Sequence, residues 1–384
     1  MMRFLVPSTA LLWGLQFAFL NPALALVLTT LFGATTSELG WALALYNASA
    51  LIATTIIPAQ ADRTGRYLRP MLVSAVLTIL LSALLALATS LPLAVVALVV
   101  LGGPAGVGST LLFAHLRHAG ADSAQIINTR ALFSVAWVAG PPVATFLIGA
   151  FGERAALLAI AVTAALSFAA TAVLQSVGPR AMPEDSTTAD PDPGPLPGRT
   201  GVVVIVIGFV LLQAANASAM SFMTVYVTQS LGLDVLWAGV ALGVAAGLEI
   251  PALLLLGRLS KRFSAQRLII VGCAVGVVYY VLLAAVQSPA GLIGIQLLNA
   301  WCFATIAGTG LTLFQRIIVR PGLSTSLYMN ARRVGAILSG GVIAFGSMTT
   351  LGQAGIYLVC AVLTAAGIAA IVLAHRGAPR TVSA

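Results

Sequence analysis

Long apolar runs separated by short polar stretches make up most of the chain. A bilayer core of ~30 Å takes ~20 apolar residues per helix. Cutting the runs at charges and turn residues predicts spans at 4–31, 39–60, 69–89, 92–116, 127–150, 155–175, 201–229, 235–257, 267–287, 290–315, 325–348 and 351–374. The cut between 290 and 325 rests on Arg316 and Arg320 alone. The run from Met1 to Phe32 is too long for a signal peptide and lacks a small-residue cleavage site, so it reads as the first span. One segment breaks the pattern. From Ser176 to Arg199 the chain holds six prolines and four acids, which no membrane helix tolerates, and a flexible linker is expected there. It divides the spans six and six. The expected organisation is an N-terminal six-helix bundle (1–175), a cytoplasmic linker (176–200) and a C-terminal six-helix bundle (201–384), in an all-α integral membrane fold.

Composition agrees. Of 384 residues 60% are apolar and 8% charged, too few charges to cover a water-soluble protein of this size. The net charge of +9 is not a nucleic-acid signal, because the bases are dispersed between apolar runs. They report topology instead. Eighteen of nineteen bases fall on one face of the proposed arrangement, Arg154 being the exception. Both termini and the linker are therefore expected in the cytoplasm, in a multi-pass protein of the plasma or inner membrane. Cys273, Cys302 and Cys360 lie within apolar runs without paired spacing or a nearby histidine, so neither metal, cofactor nor redox chemistry is expected.

Polar groups inside the spans are the candidates for function. Glu249 is the acid set deep in an apolar run, where a carboxylate must be protonated, paired or facing water. Asn21, Asn47, Gln213, Asn216, Gln296, Asn299 and Asn330 lie within or at the mouth of apolar runs. Gln213 with Asn216, and Gln296 with Asn299, share helical faces. Amides both donate and accept, which suits the hydroxyls of a sugar, and Trp137 offers a stacking face; the alternative is helix–helix glue. Asn21-Pro22, Gly140-Pro141-Pro142 and Ile250-Pro251 are expected to break the helical ladder within spans and give hinge points. Glycines 102, 103, 106, 108, 308 and 310 suggest close packing, and His115 and His118 read as interfacial.

An internal repeat joins the halves. Pro58-Ala-Gln-Ala-Asp62-Arg63-Thr-Gly65-Arg66 follows span two, and Gly257-Arg-Leu-Ser-Lys261-Arg262-Phe-Ser264-Ala265 holds the same place after span eight. Asp62-Arg63-Thr64-Gly65-Arg66 resembles the cytoplasmic loop motif of the major facilitator superfamily. With Arg130 through Gly140-Pro141-Pro142, Ala246 through Ala252, Gln296 through Ala300, and Gly308-Thr-Gly310, the chain looks similar to the sugar efflux transporter family within it. The resemblance implies two six-helix bundles around a polar cavity and alternating access. It further implies efflux of a small polar solute such as a sugar or glycoside, as an antiporter driven by inward proton flow. It implies that Asp62 caps a neighbouring helix while Arg63 and Arg66 hold the halves together. It also lets Arg130 approach Glu249, with Arg333 as the rival partner, as a gating or coupling pair.

The chain departs from that pattern at three places. Pro58 stands for the leading glycine, putting close helix contact there in doubt; Lys261 replaces the second-half acid; and span seven carries no acid after Asn216. The alternatives are a multidrug exporter of the same superfamily, a membrane-embedded transferase, a channel and a transport-dead sensor. The scattered acids argue against a transferase, and two unlike halves argue against a channel. The expected partners are a sugar-like solute, protons as coupling ion and the lipid bilayer, with the protein monomeric and no enzyme.

Overall fold

The computed structural model describes residues 2–177 and 197–376. The expected linker lies almost wholly outside the described residues, as do Arg180 and Arg380. Among the described residues the chain forms twelve helical rods joined by short turns. They are α1 (Met2–Thr30), α2 (Thr36–Thr64), α3 (Leu68–Leu87), α4 (Leu91–His118), α5 (Ser123–Phe151), α6 (Glu153–Val177), α7 (Arg199–Ser230), α8 (Val235–Leu259), α9 (Ala265–Ala285), α10 (Pro289–Ile317), α11 (Pro321–Ser347) and α12 (Gln353–Arg376). Nine are long and apolar enough along a continuous window to cross a membrane; α1, α5 and α11 are helical over 29, 29 and 27 residues. Both α5 and α11 begin about a turn before their expected starts. Their first turns, Ser-Ala-Gln and Pro-Gly-Leu-Ser, are polar or small, so a cut on hydropathy misses helix that continues beyond the apolar stretch.

These segments are helical because apolar residues occupy every side, leaving the backbone no partner but itself in hydrocarbon. In α9, Ile269, Cys273 and Leu283 are buried while Val271, Val278 and Val281 are 46–58% exposed, an outward apolar face that suits lipid. Polar caps set the starts. Thr35 and Glu38 form a reciprocal capping box at α2, and Asp234, Ser264 and Ser288 each accept an N–H from the first turn of α8, α9 and α10. The helices run on through Pro22, Pro141, Pro142 and Pro251, each of which lacks the N–H that would donate to the carbonyl four residues before it. The irregular turns lie elsewhere, as wider π turns at Leu98–Gly102 in α4, Tyr226–Ser230 in α7 and Thr305–Thr309 in α10. A π turn shifts the hydrogen-bond ladder by one residue and frees a carbonyl without needing proline.

The chain divides into two compact units. The first comprises Met1–Asp122, Leu132–Asp185 and Arg320–Ser326; the second comprises Ser123–Ala131, Ser186–Val319 and Leu327–Ala384. One core of the first unit is aliphatic, with Leu20, Leu24, Leu28, Leu81, Leu85, Leu98 and Ile160 buried together. The second has a tyrosine-rich core, in which Tyr226 packs edge-on against Tyr357 at 4.8 Å and its hydroxyl donates to the Leu283 carbonyl at 3.0 Å. A smaller core there joins Ile127 and Ala131 of α5 to Leu253 and Leu256 of α8 and Ala304 of α10.

Candidate functional site

Within the first unit, the loop after α2 is built around one carboxylate. Gly65 ends α2 in the left-handed conformation (φ 66°), which explains the glycine of the Asp-Arg-Thr-Gly-Arg run. Asp62, one turn earlier, accepts from the Gly322 N–H at 2.6 Å and the Leu323 N–H at 2.9 Å. Those are donors of the first turn of α11, so the carboxylate supplies an N-terminal cap and meets the positive end of the helix dipole. The Tyr67 hydroxyl donates to the same carboxylate at 2.7 Å. Burial, then the bond and charge of Asp62, push the Tyr67 phenol above its ordinary range, so it stays a donor. Arg63 and Arg66 are exposed.

The doubt raised by Pro58 resolves through an exchange of glycines. A Cβ on Gly322 would collide with the Pro58 carbonyl oxygen and lie 2.8 Å from its carbon. Close approach survives because the residue without a side chain stands on α11 rather than α2. In the second unit the motif glycine is kept: Gly257 of α8 lies against the Asn128 side chain of α5, where a Cβ would meet the amide oxygen.

The second unit holds the buried charge. Arg130 on α5 is 5% exposed and Glu249 on α8 is 7% exposed. Both lie within electrostatic reach of Tyr328 and Arg332 on α11, and Arg333 also acts on Arg332. The Tyr328 hydroxyl donates to the Ile306 and Ala307 carbonyls at 3.1 Å each, inside the π turn of α10. That tyrosine therefore ties α11 to the irregular turn while facing the charges. Three guanidinium groups share this region with one carboxylate. Burying such groups costs several kcal/mol each unless they compensate one another. No acid follows Glu249 in the sequence.

The amides divide. Gln213 is buried on α7, where Gly335 of α11 approaches so closely that a Cβ would lie 2.6 Å from the Gln213 Cβ. Asn216 and Asn330 are half-buried in the same unit. Gln296, also a candidate for the solute, has its amide engaged inside the unit. It is 0% exposed, its amide donates to the Leu292 carbonyl at 3.1 Å, and it accepts from Asn299 at 2.8 Å beside the Tyr279 phenol. Surrounded in this way, it glues the interior of the unit. In the first unit Trp137 is half-buried, and Asn47 is exposed with its amide turned back to the Leu43 carbonyl at 2.8 Å. The Asn21 side chain lies outside the described residues.

Three polar residues escaped the sequence reading. Arg332 and Tyr328, four apart on one face of α11, were overshadowed by Arg333; their spacing was the available signal. Gln16 on α1 is 2% exposed and donates to the Thr78 hydroxyl of α3 at 2.6 Å. It lies in an apolar run and was legible as an intramembrane amide like the others.

Long apolar helices with buried charge on α5 and α8 mark an α-helical membrane protein. The profile of the Major Facilitator Superfamily matches residues 8–340, and the chain belongs to that superfamily. Sugar efflux transporter A of Dickeya chrysanthemi is 31% identical over 240 residues, 62% of this chain and 60% of that protein. A putative sugar efflux transporter of Deinococcus radiodurans is 33% identical over 245 residues, 62% of this chain and 61% of its own length. The match thus spans about three fifths of these relatives. The fold is similar to that of the Escherichia coli fucose:proton symporter (TM-score 0.72, 14% identity, 96% of this chain and 97% of that one). It is also similar to a bacterial homologue of the iron transporter ferroportin (TM-score 0.69, 15% identity, 98% of each chain).

Proposed function

We propose that this transporter exports a sugar or small glycoside by alternating access, with Glu249 as its coupling residue. The observation that carries the reading is the buried pair of Glu249 and Arg130, which with the half-buried Arg332 surround Tyr328. A single carboxylate among guanidinium groups changes the balance of a buried site by one full charge when it gains or loses a proton. That is the property a coupling residue needs. Relatives named as sugar efflux transporters support the substrate class. Asn216, Asn330 and Trp137, each half-buried, are the side chains assigned to the solute. Gln213 backs them, and Asp62, Arg63, Arg66 and Arg333 are assigned to gating. The arrangement operates with both termini in the cytoplasm and as a monomer.

The basic character of this region favours a second reading, an acidic sugar whose carboxylate or phosphate meets the guanidinium groups of Arg130, Arg332 and Arg333. Counterflow in proteoliposomes separates the two. Labelled neutral sugars, a uronic acid and a sugar phosphate are presented to wild type and Glu249→Gln, with and without a proton gradient. Proton-driven flux of a neutral sugar, reduced at least tenfold by the substitution, supports the first reading. Flux confined to the acidic sugars selects the second. Equal flux with and without the gradient removes the coupling role.

A further inference from the structure

We infer that the end of α8 carries a binding site for an anionic phospholipid. A cleft of ≈ 480 Å³ opens there, lined by Leu255, Arg258, Leu259, Lys261 and Arg262. Leu255, Arg258, Leu259 and Arg262 recur at helical spacing and so share one face. The chain keeps its winding past the end of α8, because the Lys261 N–H donates to the Arg258 carbonyl and the Arg262 N–H to the Leu259 carbonyl. The bases are thereby folded beside the leucines instead of extending into a free loop. Leu255, which lines the cleft, is 46% exposed. An apolar wall on the helix side and three cations on the end side match the two parts of a phospholipid, acyl chain and phosphate.

Charge selects the occupant. None of the lining residues is acidic. The sequence beyond Glu249 contains bases and no acid at all, so this part of the chain draws negative charge from outside itself. The equivalent loop in the first half provides an internal contrast. There the repeat carries Asp62, and that carboxylate is committed to capping α11. Lys261 stands in its place after α8, so the two loops have diverged in role. With the orientation expected from the base distribution, the cleft faces the cytoplasmic leaflet, where anionic lipids draw juxtamembrane bases at ~1 kcal/mol each. This site is independent of the transported solute.

Native mass spectrometry of the full chain in uncharged detergent tests the assignment, with phosphatidylglycerol and phosphatidylcholine of matched acyl chains as probes. Wild type should retain phosphatidylglycerol at least tenfold more tightly. At roughly fivefold per base, the triple substitution Arg258→Ala, Lys261→Ala, Arg262→Ala should weaken it about a hundredfold. The matched triple at Arg63, Arg66 and Arg69 should leave retention unchanged, and the charge-keeping pair Arg258→Lys, Lys261→Arg should preserve it. If the triple variant does not fold, Lys261→Asp alone should weaken retention at least fivefold. Equal retention of the two lipids, or no loss on removing the bases, overturns the site. Complete displacement by millimolar inorganic phosphate also overturns it, since the cleft would then bind free anions.

Discussion

Replacing Asp62 by alanine removes three hydrogen bonds at once: from the Gly322 N–H at 2.6 Å, the Leu323 N–H at 2.9 Å and the Tyr67 hydroxyl at 2.7 Å. A hydrogen bond to a charged group contributes about 1.5–3 kcal/mol. Simple addition for the two amides alone gives about 3–6 kcal/mol, but Asp62 and Leu323 are only part-buried and water can take over some of the bonding. Loss of an N-terminal cap costs about 0.5–2 kcal/mol in exposed settings. Between these limits the start of α11 should open more easily by about 2–3 kcal/mol. Asp62→Asn keeps an acceptor oxygen but loses the charge, so it should lie between, near 1 kcal/mol.

Hydrogen exchange reads this locally. The Gly322 and Leu323 amides should exchange roughly 30–150 times faster in Asp62→Ala, since each 1.4 kcal/mol is about a factor of ten. Amides of α9, far from the loop in sequence, should be unaffected. Unchanged protection at both positions would refute the capping argument. Uniform acceleration across the chain would show instead that the carboxylate supports the whole fold rather than one helix start.

Two further outcomes follow from the same geometry. Gly322→Ala should destabilise the protein more than Gly257→Ala, measured as the midpoint of thermal unfolding in detergent. The first Cβ meets the Pro58 backbone, whereas the second meets the Asn128 amide, which can rotate away; overpacking against an unyielding partner costs about 1–3 kcal/mol. Tyr328→Phe should cost about 1–2 kcal/mol by orphaning the hydroxyl's acceptors in the α10 turn, again read by unfolding. An unchanged midpoint would show that water replaces the phenol.

Hydropathy made the rods legible because a bilayer demands length and apolarity of every spanning helix, and both are properties of a single run of sequence. The Pro58 departure was opaque for the opposite reason. Whether two helices touch depends on the sum of what both present, and a motif read along α2 contains only one of the two terms. Gly322 sits in another run, 260 residues or so away by the bond it makes to Asp62, and nothing in its own neighbourhood marks it as compensating. The irregular turns are hidden for a similar reason. Proline is visible in sequence, but the π turns of α4, α7 and α10 arise where packing favours an extra residue per turn, and ordinary residues such as Leu-Val-Val-Leu and Thr-Ile-Ala-Gly can adopt them.

Charge lies between these cases. Glu249 stood out because a lone acid in an apolar run is costly wherever the helix points. Arg130 is reached as its partner only through the family resemblance, and Arg332 not at all, because whole spans separate both from Glu249 in sequence. A census of sign along the chain narrows that choice. Asp234, the other acid of that half, caps α8, so for the half-buried Arg332 and Arg333 of α11 Glu249 is the acid set within a span of their own half. The bases at the end of α8 stand under the same constraint but near the aqueous boundary, where lipid phosphate can serve. The absence of acids over the final third of the sequence thus leaves Arg332 and Arg333 of α11 to be met by Glu249 of α8, and leaves the turn after α8 purely basic.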